Sequence, residues 1–163
     1  MKLNLDNNPI VSNVTLRAPE YNNDQQKYDA AFGDSLDFFD LDHALVGVRQ
    51  SKQIVKTQIE GLDGTIKEYI SLGDYEIEIR GNLVNENDPF ARPTQQLNNL
   101  IRFLNYNDAI EIVSKATTPY SIRSVVVVDY SFDEQAGYVN MIPYRIRLLS
   151  DTPEEIKYKQ FSG

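Results

Sequence analysis

The chain has 163 residues, no cysteine, no tryptophan, and 24 acidic against 16 basic side chains, for a formal net charge of −8. Its length suits one domain that buries a core without staples. The missing cysteine excludes disulfides, thiolate metal sites and a cysteine nucleophile, and the acidic balance argues against general nucleic-acid binding, which needs clustered Lys and Arg.

Residues 1–43 read as an N-terminal arm and connector. Met1 to Asp6 lack the apolar stretch of about 7–15 residues that marks a secretion leader, and nowhere does an apolar run approach the roughly 20 residues that cross a bilayer. A protein without membrane contact is expected, kept in a cytosol or assembled there into a particle. Ile10, Val11, Val14 and Leu16 suit one short strand, while residues 20–31 are too rich in Asn, Asp and Gln to bury much and are expected to order against a neighbour. In residues 32–43, Asp34, Asp37, Asp40 and Asp42 interleave with Leu36, Phe38, Phe39 and Leu41. The spacing does not match a calcium loop, so an amphipathic connector with docked aromatics and solvated carboxylates is expected. His43, the only histidine, has no partnered nucleophile and reads as structural.

The core domain is expected over residues 44–151. Residues 44–48 open a long strand that runs on into 54–60. Residues 51–84 then show three alternating runs, with breaks at Leu62 to Thr65 and at Gly73-Asp74. Alternation puts every second side chain on one face of a sheet, and Asp63-Gly64 suits a tight hairpin because glycine accepts positive φ. A three-stranded meander with one apolar and one charged face is predicted. A proline-flanked loop (85–93) leads to a helix over 94–106, whose Leu97, Leu100, Ile101 and Leu104 form one apolar stripe and should cover the sheet.

Residues 109–113 read as a strand and Thr117-Thr118-Pro119 as a turn. Val125 to Val128 suggest a strand covered on both faces. Residues 133–137 turn the chain into a last strand over 138–150, where Pro143 demands an edge position or pairing only beyond it. Asp151 and Glu154 resemble the start of a short helix or tail over 152–163. The fold class is α+β, mainly β: an antiparallel β-sandwich or rolled sheet with one packed amphipathic helix and an extended N-terminal arm.

No phosphate-cradling glycine loop or nucleophile motif occurs. Glu76 and Glu78 share a strand face, but nothing nearby desolvates them, so a solvated charge pattern shared with Lys67 and Arg80 is favoured over a catalytic pair. No catalytic, cofactor or metal residue is assigned, and the chain reads as a non-enzyme. The candidate interface residues are Tyr75, Glu76, Glu78, Arg80, Arg123, Arg145 and Arg147. The last three arginines would pair with the acidic strand across a subunit boundary, or be ordinary surface charges within one chain.

The strings IVKTQIEG at 54–61, DGTIKEYISLGDYEIEIRG at 63–81 and LLSD at 148–151, with the proline-containing loop before the helix, carry a resemblance that covers roughly residues 45–151. They resemble an uncharacterised family of tail-associated proteins from bacteriophages and related injection systems of the Bacteroidetes. The resemblance implies a structural component of a tail or baseplate, at a tube end, hub or adaptor ring. It also implies copies assembled in rings, commonly sixfold, beside neighbouring tail proteins in the virion, with a lumen through which DNA passes without specific binding. The alternative is a sandwich-type module docking a glycan or a cell-wall-binding partner through Tyr69, Tyr75 and Tyr130.

Overall fold

The computed structural model describes residues 12–19, 37–134 and 136–151. The polar segment 20–31, the start of the aspartate run and the helix or tail expected over 152–163 lie outside the described residues.

Seven strands form one antiparallel sheet: β1 (Ser12–Arg17), β2 (Phe38–Asp42), β3 (Leu45–Gln58), β4 (Thr65–Val84), β5 (Ile110–Val113), β6 (Ser124–Phe132) and β7 (Met141–Asp151). Their spatial order is β2-β1-β5-β6-β7-β4-β3. The two edge strands, β2 and β3, are therefore consecutive in the chain and joined only by His43 and Ala44. A connection that short brings the two edges of the sheet together at one end, so the sheet must curl; β2 touches β4 across the resulting seam. Of the two forms expected from the sequence, the rolled sheet is the one found. Segment 1–43, expected as arm and connector, supplies two of its strands: β1 lies between β2 and β5, with Val14 and Leu16 fully buried.

The roll is filled by alternate residues of its strands, among them Ile77, Ile79, Ile142, Ile146 and Leu148, and by one helix, α1 (Thr94–Leu104). The helix contains no β-branched run and follows Pro93, which is suited to a helix entry. The buried face is Leu100, Phe103 and Leu104, with Leu97 partly buried. Phe103, absent from the expected stripe, is fully buried, whereas Ile101 is only half so. Arg102 sits in the last turn, where a cation complements the helix dipole. Asn105, just past the helix, accepts a hydrogen bond from the Tyr130 hydroxyl at 2.7 Å and ties the helix end to β6.

Three local expectations change. Gly73-Asp74 is no turn: β4 passes through it as one strand of 20 residues, and the irregularity is a bulge against β3. A Cβ on Gly73 would lie 3.0 Å from the Ser51 carbonyl oxygen, so the glycine serves a close strand approach. The valine run in β6 is covered on one face only, with Val125 buried and Val126 and Val128 exposed. Pro143 lies in a central strand, opposite Asn82 of β4. Its carbonyl accepts from the Asp133 N–H at 3.1 Å, so its missing N–H faces the same β6 side, past the last β6–β7 pair at Phe132 and Tyr144. No bond to β4 is lost.

Gly81 pairs with Tyr144 across β4 and β7, and the Tyr144 ring lies over it. A Cβ there would stand 2.4 Å from the Tyr144 hydroxyl and 2.8 Å from the ring carbon bearing it. Gly81→Ala should therefore cost about 1–3 kcal/mol of stability through overpacking. Combining it with Tyr144→Phe, which removes the nearest clashing atom, should recover part of that loss in denaturant titrations.

Candidate functional site

The β3–β4 hairpin outgrows the sheet. The pairing of β4 with β7 begins at Glu76, so towards the hairpin turn β4 has only β3 beside it. Every residue from 51 to 72 is exposed. At about 3.3 Å per residue the ribbon projects roughly 30 Å from the body. Gly61 and Gly64, both at positive φ, close its tip.

Expected to face a core, the ribbon's Ile66, Ile70 and Leu72 are instead each more than half exposed, as is Leu62 at the tip. Opposite residues share a face. One face carries the pairs Ile54–Tyr69, Lys56–Lys67 and Gln58–Thr65, and the other carries Val55–Glu68 and Thr57–Ile66. Lys67 thus faces Lys56, not the acidic strand it was expected to join. Like charges opposite one another destabilise a sheet pair.

At the body end, the outer face of β4, β7 and β6 gathers five of the seven candidate interface residues. Glu78 lies opposite Arg147, and Arg80 opposite Arg145. Glu78 forms ion pairs with Arg80 and, at 3.0 Å, with Arg145. Asp129, which the sequence reading did not single out, accepts from the Arg147 guanidinium at 2.8 and 2.9 Å. Arg145 and Arg147 are thus paired within the chain. Glu76 stands opposite Leu149 on the same face. A groove of about 820 Å³ runs over this face, walled by β3 residues 45–49 and floored by the charged side chains.

The other two candidates lie elsewhere. Tyr75 is half-buried against Tyr120, with ring centroids 5.4 Å apart, and its N–H donates to the Ser150 hydroxyl at 2.9 Å. Arg123 is exposed just before β6, where its carbonyl accepts from the Ile112 N–H at 2.8 Å. The three tyrosines of the alternative reading are also scattered. Tyr69 is on the ribbon, Tyr75 sits under Tyr120, and Tyr130 lies beside Phe132 and the helix end.

The arginine hydrogen bonds hold the Glu78 and Asp129 carboxyls below their ordinary values of 4.5 and 3.8, with Arg145 the main cause for Glu78 and Arg147 for Asp129. A carboxyl whose pKa is lowered by folding contributes its full stabilisation above its unfolded pKa and loses it as pH falls through the folded one. The wild-type melting temperature should therefore fall on acidification below about pH 4.5, and the fall should be smaller for a Glu78→Gln, Asp129→Asn variant scanned by calorimetry.

A second recess lies at the seam of the roll. It has a volume of about 340 Å³ and is lined by residues 39–43 of β2 and its turn, 82–84 of β4, Glu86, Gln96 and Tyr144. The Tyr144 hydroxyl is buried and makes no hydrogen bond. Burial, and then the negative charge of Asp42, push its phenol well above the ordinary range. His43, in the turn, takes a φ of 54°. Among the described residues no three His, Cys, Asp or Glu side chains are placed to hold a metal ion.

Residues 40–160 match the family described as a domain of unknown function, DUF6046. The chain belongs to the DUF6046 family. The matched span of this DUF6046 protein begins within β2 and takes in the ribbon, the helix, the charged face and the seam recess. No curated protein matches the sequence. Among solved structures, the chain is similar to SPP1 Dit (gp 19.1), described as a paradigm of the hub adsorption apparatus in phages infecting Gram-positive bacteria. The identity is 16%, the TM-score 0.48, and the overlap covers 69% of this chain. That overlap spans about half of the Dit chain, 47%. A second similar structure is a chain from the tail of an empty gene transfer agent particle refined with C6 symmetry, at 9% identity and a TM-score of 0.41, covering 86% of this chain and 92% of that one.

Proposed function

We propose that this DUF6046 protein is a structural subunit of a phage tail or baseplate, at a tube end, hub or tail-adaptor ring, built from copies of itself and joined to neighbouring tail proteins. The observation that carries the reading is the exposed β3–β4 ribbon. A two-stranded ribbon alone in water is marginally stable, and exposed apolar surface of this kind marks a place where another protein packs. Two strand edges add to it. Among the described residues, β3 has no strand on its outer side, and β6 beyond Val125 has no β5 residue beside it. Subunits that cover such edges by pairing around a ring leave none free to aggregate.

The tail assignment itself, a Bacteroidetes host, the sixfold ring and assembly in the host cytoplasm rest on the sequence strings at 54–61, 63–81 and 148–151. The net charge of −8 fits a lumen that repels passing DNA. In this reading the protein performs no chemistry. Negative-stain micrographs of the purified protein test it: closed rings are the expected result. Lone monomers at every concentration, or rings with a basic lumen, would remove it.

A further inference from the structure

β7 stops where its neighbour β4 does not. It ends at Asp151, which pairs with Ser124 of β6. On its other side the ladder with β4 reaches Leu149 and Glu76, and the adjoining Tyr75 still donates its N–H to the Ser150 hydroxyl at 2.9 Å. From there to Thr65, β4 has β3 on one side and, among the described residues, no strand on the other. The unpaired N–H and C=O groups of such an edge are a template for a further strand. Residues 152–163 follow Asp151, at the foot of this edge. At about 3.3 Å per residue, 152–161 reach roughly 33 Å, enough to run the length of the ribbon.

The sequence of this segment suits an edge strand in that position. β7 turns Ile142, Tyr144, Ile146 and Leu148 into the core, and counting on in twos from Leu148 reaches Ile156 and Tyr158. The register of Leu149 with Glu76, continued unbroken, sets Ile156 opposite Tyr69, Lys157 opposite Glu68 and Tyr158 opposite Lys67. An apolar–aromatic pair and an opposite-charge pair are both favourable neighbours across a ladder. Pro153 is no obstacle. It is an even number of residues from Pro143, whose backbone faces β6 and not β4. Pro153 therefore turns its missing N–H away from β4 as well, to a side where β6 has not yet begun. A proline and the lysines at 157 and 159 are also the residues that keep an outermost strand from pairing further. The family match runs to residue 160 and so takes in most of the segment.

We infer that residues 152–161 continue β7 as an edge strand along the free side of β4, making the ribbon three-stranded. Three strands are stable where two are marginal. The contact lies within one chain and does not depend on the assembly proposed above. It leaves the outer edge of β3 as the ribbon edge open to another copy.

Hydrogen exchange read by mass spectrometry tests it, comparing the full chain with one ending at Asp151, both diluted until sedimentation shows single copies. Amides at 66–72 should exchange about 10-fold or more faster in the shortened chain. Those from Ile77 to Leu83 should stay protected in both, which shows the body folded. Because the chain has no cysteine, Glu68→Cys with Lys157→Cys reads the register. This is a non-hydrogen-bonded pair like Asn82 and Pro143, with Cα atoms about 4.5 Å apart, inside the range of a disulfide. Oxidation should give a faster-running monomer on a non-reducing gel, and Glu68→Cys with Tyr158→Cys, on opposite faces, should not. Equal exchange at 66–72 in the two chains overturns the inference. So does a disulfide that forms only between copies, which would put the segment on a neighbour's ribbon. A wild type that never assembles removes the ring proposed above and leaves this contact standing.

Discussion

Phe103→Ala will lower the unfolding free energy by about 3–5 kcal/mol, the range for deleting a buried aromatic side chain. Phe103 is completely buried in the filled interior of the roll, on the helix face that also presents Leu100 and Leu104. Removing its ring takes a large side chain out of the buried cluster it shares with Ile79, Ile110 and Ile146, and a sheet already held in a curl cannot collapse freely onto the void. The neighbouring change Ile101→Ala, at a half-buried position, should cost markedly less. Urea titration of the two variants checks the contrast. Equal losses would mean that the helix does not sit with Phe103 inward.

Excising the ribbon should have the opposite profile. Residues 52–72 contribute nothing to the buried core. A chain in which they are replaced by Asn-Gly, linking Ser51 to Gly73 through a two-residue turn, should keep a melting temperature within a few degrees of wild type, since a few degrees correspond to about 1 kcal/mol in a domain of this size. It should lose self-association altogether. Thermal melts and sedimentation velocity on the same preparation give both readings. A collapse of the melting temperature would show that the ribbon supports the body, and persistent oligomers would move the assembly surface elsewhere.

The contrast between these two experiments marks where the amino-acid pattern is informative. Helix α1 was legible because its apolar residues recur at helical spacing, β3, β4 and β7 because theirs alternate, and β6 because of its continuous run of valines. Pattern alone does not say whether an alternating run has anything to pack against. Ile66, Ile70 and Leu72 read like any half-buried strand, yet they stand in water because β7 pairs with β4 only from Glu76 onward. Gly73-Asp74 was ambiguous for a local reason: a glycine serves a turn and a bulge equally well. The place of β1 was hidden for a non-local one, since its partners lie at 38–42 and 111–113, and no short window contains both sides of those pairs.

The charged face was half legible. The alternation located Glu76, Glu78, Arg80, Arg145 and Arg147, but the partner of Arg147 is Asp129, the first paired residue after a register shift in β6 that sequence spacing does not reveal. The seam recess was not legible. Its walls come from 39–43, from 82–84 with Glu86, from Gln96 and from Tyr144, four stretches brought together only by the curl of the sheet. The isolated Gly81 opposite Tyr144 was the one available sign, an aromatic ring resting on a residue with no side chain.

The two-residue join at His43 and Ala44 has a mechanical consequence. It ties the first and last strands of the sheet at one end by covalent chain, whereas the ladder bonds elsewhere can unzip one at a time. A pull that tries to spread the curl will make the slit gape first at the end farthest from His43, as a clasp opens away from its hinge. The acidic recess sits at the hinge end, so its dimensions would be the last to change when neighbouring subunits strain against one another.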